Sequence, residues 1–304
     1  MGRLIDRPPR RIAFLGLGLI AGSVARAVAA TSPRGARPRL AAWSPSNAGP
    51  DAALRDGVID DAPGRLEDAL AGADLVVIGA PPLETVALVE RLGDELRPHL
   101  DGTAVVTDLA STKAAVVGAA DRAGLAFVGG HPMAGREAAG YGHASAELFA
   151  DRPWVLVPGG GADDAAIGRV EWLVATCGAR PVRMDAATHD VAVAAISHLP
   201  LVVAAALAEA VAGAGTERPG WSAAAALAAT GWRDMTRLAR GDTRMGAGIA
   251  ATNADAIVAG LREVRAVLDS WIEALGRAPG PDADAVEERL RSVRDRLERP
   301  PGRG

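Results

Sequence analysis

The segment 12–23 restricts the fold more than any other part of this chain. A short apolar run passes through Gly16 and Gly18 into an alanine-rich stretch of helical period. Gly16 permits a tight turn from strand to helix, and Gly18 lets the backbone approach a pyrophosphate. Ala21 stands at the third position of the pattern, where alanine is tolerated. The helix start also offers free N–H groups to phosphate oxygens. The predicted cofactor-binding residues of this turn are Gly16, Leu17, Gly18, Leu19 and Ile20.

Strand and helix patterns alternate from residue 11 to about residue 184. The predicted strands are 12–15, 40–43, 75–78, 104–107, 126–128, 154–157 and 181–183. The predicted helices between the early strands are 20–30, 83–92 and 112–121. Such alternation is typical of a doubly wound parallel sheet. We therefore predict an α/β, Rossmann-type dinucleotide-binding domain at residues 10–185.

The second half lacks strand patterns. Long segments rich in alanine and leucine follow residue 186, at 187–213, 221–240, 247–275 and 283–297. We predict an all-helical second domain at residues 186–298 that binds substrate and mediates dimerisation. Apolar helix faces of this extent favour a homodimer. The alternative is that the same faces pack against one another in the core of a monomer.

Composition excludes several classes of function. The net charge of −4 and the pI of about 5.8 argue against a nucleic-acid partner, which requires a basic surface. The single cysteine, Cys177, fits a reducing compartment and is interpreted as a core residue. No apolar run of about 18 residues is evident, so no membrane span is expected. We expect a cytoplasmic protein with a small-molecule substrate and no metal site.

The ribose-binding end of the predicted cofactor site lacks its usual acid. The second predicted strand ends at Ser44, where an acidic residue would bind the ribose 2′-hydroxyl of NAD. Ser44, Ser46 and Asn47 offer hydrogen bonds to a 2′-phosphate instead. Between NAD and NADP this pattern favours NADP, unless specificity is relaxed. Ala80 and Pro81 follow the third strand and are predicted to form a wall beside the cofactor.

Polar residues follow the fourth and fifth predicted strands at the same edge of the sheet. Ser111 and Lys113 come after the fourth strand, and His131 comes after the fifth. Neutral histidine is a suitable base for a hydroxyl proton, so His131 is the candidate catalytic base, with Ser111 beside it. Lys113, the only lysine, is placed among the cofactor-binding residues, where it would fix the loop or neutralise a carboxylate. Each residue taken alone also fits a structural role, such as a helix cap.

The helical half carries three further polar segments: 188–190, 197–200 and 231–237. Pro200 is expected to kink its helix and to free the carbonyl of Ile196. Arg237 is a natural clamp for a substrate carboxylate, although a surface ion pair is an alternative.

Four segments in this order resemble the prephenate/arogenate dehydrogenase family: 108–113, 131–137, 197–200 and 233–237. The resemblance extends over residues 11–275. It implies NAD(P)-dependent oxidative decarboxylation of prephenate or arogenate in tyrosine biosynthesis. It also implies that His131 accepts the ring-hydroxyl proton, that Ser111 orients the reacting groups, and that Arg237 binds the ring carboxylate. The further substrate-binding residues that it implies are Glu137, His189, His198 and Asp234.

The chain departs from this family at two positions. Leu201 stands where several members carry another histidine, and Ser44 stands where many carry an acid, which leaves substrate and cofactor choice open. The residues after 276 are too few for the regulatory ACT domain or the chorismate mutase that some members carry.

Two other functions remain as alternatives. One is a two-domain hydroxyacid or imine oxidoreductase, but hydroxyacid enzymes usually rely on a lysine in the helical domain, and none follows Lys113. The other is a non-catalytic dinucleotide-binding regulator, which would leave Ser111, His131 and Arg237 without a role.

Overall fold

The first half of the chain is built around a seven-stranded sheet. The computed structural model describes residues 8–31, 33, 35–136 and 138–299. The strands are β1 (Arg11–Leu15), β2 (Arg39–Trp43), β3 (Leu75–Ile78), β4 (Val105–Asp108), β5 (Phe127–Pro132), β6 (Pro153–Pro158) and β7 (Arg180–Arg183). Every predicted strand is confirmed. The longest extension beyond a prediction is that of β5, which continues to Pro132.

The strand order is β2-β1-β3-β4-β5-β6-β7. Strands β1 to β5 run parallel, but β6 pairs antiparallel with β5, and β7 runs parallel to β6. The predicted doubly wound, Rossmann-type sheet is confirmed as a mostly parallel one, and the pairing of β6 with β5 is its antiparallel exception. The reason is the connection from β5 to β6: its described residues contain only a short 3₁₀ helix at Tyr141–His143, and a parallel crossover would normally require a longer helical return.

Helices cover both faces of the sheet and predominate in the described chain after β7. They are α1 (Leu19–Thr31), α2 (Ala48–Arg55), α3 (Leu66–Leu70), α4 (Pro82–Gly93), α5 (Ala114–Arg122), α6 (Asp164–Thr176), α7 (Ala186–Val193), α8 (Leu199–Ala212), α9 (Trp221–Ala226), α10 (Thr230–Thr236), α11 (Thr243–Thr252), α12 (Ala254–Leu275) and α13 (Ala283–Glu298). Strands β3 and β4 are buried along their whole length, as expected of a sheet covered on both faces, and β3 carries only apolar side chains. Cys177 is buried in this core, as predicted.

Two compact units divide the chain, one up to Ala256 and one from Ile257 onward. In the first unit, α7 packs against α5 and α11 packs against α4. The predicted boundary at residues 185 and 186 therefore marks the end of the strands, but the first compact unit continues beyond it. In the second unit, the guanidinium of Arg289 lies 3.9 Å from the ring centroid of Trp271 and donates a hydrogen bond to Ser270.

Residues 186–212 are long and apolar enough to cross a membrane, with a mean hydropathy of 2.2, a result that the sequence analysis did not anticipate. A π-helical turn at Ala194–His198 interrupts this stretch directly before Pro200, where we expected a kink. The stretch lies within the first unit, and its beginning is held against α5, because Asp190 is buried and accepts hydrogen bonds from the start of that helix. Only 22% of the stretch is buried, so much of its apolar helix surface is not covered by the described chain.

Candidate active site

A pocket of about 690 Å³ opens at the carboxyl ends of β1, β2 and β3. Its lining includes residues 15–18, 43–46 and 79–81. Strand order reverses between β1 and β3, and dinucleotides bind at such a switch point. The structure therefore brings together six of the predicted cofactor-binding residues: Gly16, Leu17, Gly18, Ser44, Ala80 and Pro81. Leu19 and Ile20 form the first residues of α1, directly after the glycine turn.

The glycine turn has the shape that a pyrophosphate requires. Gly16 has a φ of +91°, and a Cβ there would lie 2.5 Å from the carbonyl oxygen of Gly79. A Cβ at Gly18 would meet nothing within 4 Å, so the backbone is open at this point. Gly79 also leaves room for Ala21, because a Cβ at Gly79 would lie 2.5 Å from the Ala21 side chain. The N–H groups of the first turn of α1 lack helical partners, so these residues fit a dinucleotide phosphate.

The rim of this pocket contains side chains that sequence reasoning missed, among them Tyr141 and Arg244. The Tyr141 hydroxyl donates to the Asp56 carboxylate at 3.1 Å, and the Arg26 guanidinium lies 4.5 Å from the ring centroid. Burial, supported by the neighbouring Asp56, raises the pKa of Tyr141 to about 12. The Tyr141 side chain is therefore neutral and held in place as part of the pocket lining. It comes from the loop between β5 and β6, for which the sequence contains no motif.

A buried ion pair lies at the carboxyl end of β4. The ammonium of Lys113 contacts the carboxylate of Asp108, and both side chains are fully buried. Asp108 also accepts hydrogen bonds from the N–H groups of Ala110 and Gly130, at 3.0 Å each. Burial lowers the pKa of Lys113, and the carboxylate of Asp108 opposes that shift. Lys113 was placed among the cofactor-binding residues, where it would fix the loop or neutralise a carboxylate. Its ammonium is enclosed by protein and pairs with the Asp108 carboxylate, so its geometry fits that role and not direct contact with the cofactor.

His131 is hydrogen-bonded to a second histidine. Its Nδ1 lies 2.8 Å from Nε2 of His189, and Nδ1 of His189 lies 2.7 Å from the Asp190 carboxylate. Burial, together with the positive charge of Lys113, lowers the pKa of His131 well below 6.5. His131 is therefore neutral at physiological pH and is able to accept a proton. His189 was predicted to bind substrate, but it is fully buried and both of its ring nitrogens have protein partners.

Two polar atoms near this network are buried and have no hydrogen-bond partner in the described part of the chain. They are Oγ of Ser111 and Nε2 of His198. The Asn253 amide nitrogen lies 3.1 Å from Nδ1 of His198 and donates to the carbonyl of Asp190. The amide therefore donates to Nδ1 of His198, which leaves the proton of this neutral ring on Nε2. Burial lowers the pKa of His198, against the pull of Asp190. Buried polar atoms without partners are rare, and at a site they are candidates for ligand contacts.

The remaining predicted substrate residues lie on other elements. Asp234 is exposed on α10, and Arg237 is exposed at the end of that helix. Helix α10 packs against α8, whose preceding turn carries His198. The structure therefore places Arg237 and Asp234 on an element that contacts the helix beside His198. Glu137 lies outside the described residues.

Both halves of the chain match known families. Residues 28–183 match the family described as prephenate dehydrogenase, nucleotide-binding domain. Residues 185–290 match the family described as prephenate dehydrogenase, dimerization domain. The boundary between the two matches lies directly after β7, where strands give way to helices.

Individual proteins show the same similarity. The chain is 34% identical over 250 residues to a prephenate dehydrogenase of Bacillus subtilis, which is 81% of this chain but only 65% of that protein's length. It is 31% identical over 274 residues to a cyclohexadienyl dehydrogenase of Zymomonas mobilis, covering 86% of this chain and 89% of that one. The crystal structure of Synechocystis arogenate dehydrogenase aligns with a TM-score of 0.74 and 31% identity, covering 94% of this chain and 99% of that one.

Proposed function

Because this chain belongs to the prephenate dehydrogenase family, we propose that it catalyses the NAD(P)-dependent oxidative decarboxylation of prephenate or arogenate. The products are 4-hydroxyphenylpyruvate or tyrosine, so the reaction belongs to tyrosine biosynthesis. The observation that carries this proposal is the neutral His131 at the carboxyl end of β5. That strand end lies on the same sheet edge as the dinucleotide pocket, where a base would meet a substrate hydroxyl.

The chemistry follows from this placement. A bound nicotinamide supplies the acceptor for the hydride that leaves the ring carbon bearing the hydroxyl. His131 takes the hydroxyl proton as the carbon–oxygen double bond forms. The bond to the ring carboxylate then breaks, carbon dioxide leaves, and its electron pair makes the ring aromatic. The phenolic oxygen receives the proton back from His131. Aromatisation provides the driving force, so the protein mainly orients the ring and holds the proton.

In this proposal, side chains from both halves of the chain hold the substrate. The Ser111 hydroxyl and the Nε2–H of His198 are buried and without partners in the described chain, so each can contact a polar substrate atom. Arg237 supplies the positive charge for the ring carboxylate, since a guanidinium binds a carboxylate through two parallel hydrogen bonds. Asp234 and Glu137 are proposed to shape the same site. Leu201 cannot supply the polar contact that a histidine at this position would. The choice between prephenate and arogenate therefore stays open and is tested with both compounds.

For the cofactor we propose NADP in preference to NAD. Ser44 and Ser46 line the pocket at the end of β2, where a 2′-phosphate would lie, and no carboxylate follows that strand directly. The Ser44 N–H is held by the side chain of Asn47 at 3.1 Å, which fixes this turn. A serine hydroxyl can accept a hydrogen bond from a ribose hydroxyl or donate one to a phosphate oxygen, whereas an acid would repel the phosphate.

We further propose a homodimer through the helical half. The matched family is described as a dimerization domain. Large apolar side chains are more than half exposed in this region, including Leu227, Val267, Leu268 and Ile272. Exposed apolar surface of this kind is typical of a subunit interface. Light scattering during size-exclusion chromatography distinguishes a dimer from a monomer of 30.9 kDa.

The decisive experiment measures absorbance of the reduced nicotinamide with prephenate and with arogenate, each with NAD and with NADP. Turnover in at least one of these combinations is expected, together with the matching aromatic product. The His131→Asn variant is the control for a background reaction. If none of the combinations gives reduced cofactor while the protein still binds NADP, the proposed activity is wrong and a non-catalytic dinucleotide-binding role is favoured.

A further inference from the structure

Asp190 and His189 form a chain of hydrogen bonds that ends on His131. The carboxylate of Asp190 accepts three hydrogen bonds: two from the N–H groups of Lys113 and Ala114 at 2.8 Å, and one from His189 at 2.7 Å. The N–H groups of Lys113 and Ala114 and the ring of His189 hold the pKa of Asp190 below its usual range, although burial opposes this shift. Asp190 is therefore an ionised carboxylate, which can only accept hydrogen bonds.

The direction of the remaining bonds follows from this carboxylate. Nδ1 of His189 must donate to Asp190, because the carboxylate has no proton to offer. A neutral imidazole carries one N–H, so Nε2 of His189 has a lone pair and accepts from Nδ1 of His131 at 2.8 Å. The ring of His189 is fully buried between the Asp190 carboxylate and His131, and these are the partners of its two nitrogens in the described chain.

We infer that Asp190 and His189 hold His131 in the tautomer that carries its proton on Nδ1 and leaves Nε2 free as the base. His189 is thus a positioning residue that never touches the substrate. Asp190 has no assigned role in the sequence analysis, and its sequence signal was weak because it simply follows His189. The catalytic role of the His131 base rests on the proposed function. The tautomer of His131, in contrast, is a property of the ligand-free protein and is measured independently of activity.

The two ring planes support a fixed arrangement. The centroids of His131 and His189 lie 5.1 Å apart, and the planes are inclined by 74°. Hence His131 cannot rotate about its side chain without breaking the bond to His189. An imidazole held in one tautomer and one orientation does not need to reorient before the hydroxyl proton is transferred. The same principle operates in triads in which a carboxylate orients a histidine.

Asp190 itself is a poor place to test the inference. Its carboxylate also accepts the first N–H groups of α5, so Asp190→Asn would disturb the cap of that helix as well as the histidines. His189 offers a cleaner pair of variants. In His189→Gln an amide oxygen can still accept from His131. In His189→Met the side chain has similar length but no acceptor of comparable strength.

The first measurement is the ¹⁵N spectrum of the histidine side chains, in the ligand-free protein at about pH 8, above the ordinary histidine range. The chain has five histidines, so the signals can be assigned by single substitutions. His131 is expected as the Nδ1–H tautomer in the wild type and in His189→Gln. In His189→Met it is expected to change to a mixture like that of the exposed His99. A wild-type His131 that is protonated on Nε2, or that is a mixture, overturns the inference whether or not the enzyme turns over substrate.

The second measurement is steady-state kinetics on the same variants. His189→Met should lower kcat by about 10–100-fold, the range found when a supporting hydrogen bond is lost, while KM stays unchanged. His189→Gln should recover most of that loss, and His99→Gln, an exposed control, should match the wild type. A rise in KM without a fall in kcat would instead identify His189 as a substrate-binding residue. If His189→Met does not fold, the wild-type and His189→Gln spectra still decide the tautomer.

Discussion

The dinucleotide pocket and the His131 network occupy the same sheet edge but are built from different parts of the chain. At the ends of β1, β2 and β3 the lining consists mostly of glycine turns and small or apolar side chains. At the ends of β4 and β5, the protein buries Asp108, Lys113, His189 and Asp190 around a partly exposed His131. The dinucleotide pocket offers mainly backbone groups to a cofactor, whereas the His131 network depends on hydrogen bonds and an ion pair between side chains.

Single substitutions should therefore have different effects in the two regions. Backbone N–H groups at a helix start survive most side-chain changes, so the pocket should tolerate them with modest effects. A buried side-chain network has no such tolerance, because removing one member leaves its partner buried and unpaired. Substitutions at His131, Lys113, Arg237 and Ser44 test that contrast.

The largest effect is expected at the outer end of the network. His131→Asn removes the base but keeps polar character, and kcat should fall by about 10²–10⁴-fold with little change in KM, the usual range for a lost general base. Steady-state kinetics, with His99→Asn as an exposed control, measures this. A kcat close to that of the wild type would show that His131 is not the base.

Next comes the ion pair beneath His131. Lys113→Met leaves the Asp108 carboxylate fully buried with only backbone donors, and should lower the free energy of unfolding by about 3–5 kcal/mol. Denaturant titration measures the change, and the double variant with Asp108→Asn should recover part of it. The matched control is Arg244→Met at the cofactor pocket, whose exposed pair with Glu84 should contribute about 1 kcal/mol or less. Equal losses at the two pairs would contradict the contrast between the two regions.

An intermediate effect is expected at Arg237, which belongs to neither region and is exposed. Its proposed carboxylate partner is charged before the reaction starts, so Arg237→Ala should chiefly raise KM. The expected cost is roughly 2–5 kcal/mol if the bound pair is desolvated. Arg233→Ala, on the helix directly before Arg237, is the control. An unchanged KM in Arg237→Ala would contradict the assignment of Arg237 as the residue that binds the ring carboxylate.

The smallest effect is expected at the ribose end of the pocket. Ser44→Asp introduces a carboxylate that accepts a ribose 2′-hydroxyl and repels a 2′-phosphate. The preference should shift from NADP toward NAD by on the order of tenfold, or about 1.4 kcal/mol. The ratio of kcat/KM for the two cofactors measures it. A wild-type enzyme that already strongly prefers NAD would show that the Ser44 interpretation is wrong.

Local patterns in the chain were enough to predict most of the first half. Apolar runs located all seven strands, and the Gly16 turn located the cofactor pocket. The rule that parallel strands share one carboxyl edge placed Ser111 and His131 on the pocket side. What it could not show was the reversed direction of β6, because that depends on the path of the loop between β5 and β6 rather than on the strand's own residues.

Residue patterns alone therefore predict the strands and helices, and they predict which polar residues follow the carboxyl ends of the strands. The partner that each of these polar residues contacts became known from the folded arrangement. His131 meets His189 across 58 positions of the chain, and Asp190 caps α5 from 77 positions away. Lys113 and His189 look like binding residues in the sequence, yet both are enclosed by protein partners. The role of a buried titratable group is set by the partners that fill its hydrogen-bonding positions, and folding draws those partners from segments far apart in the chain.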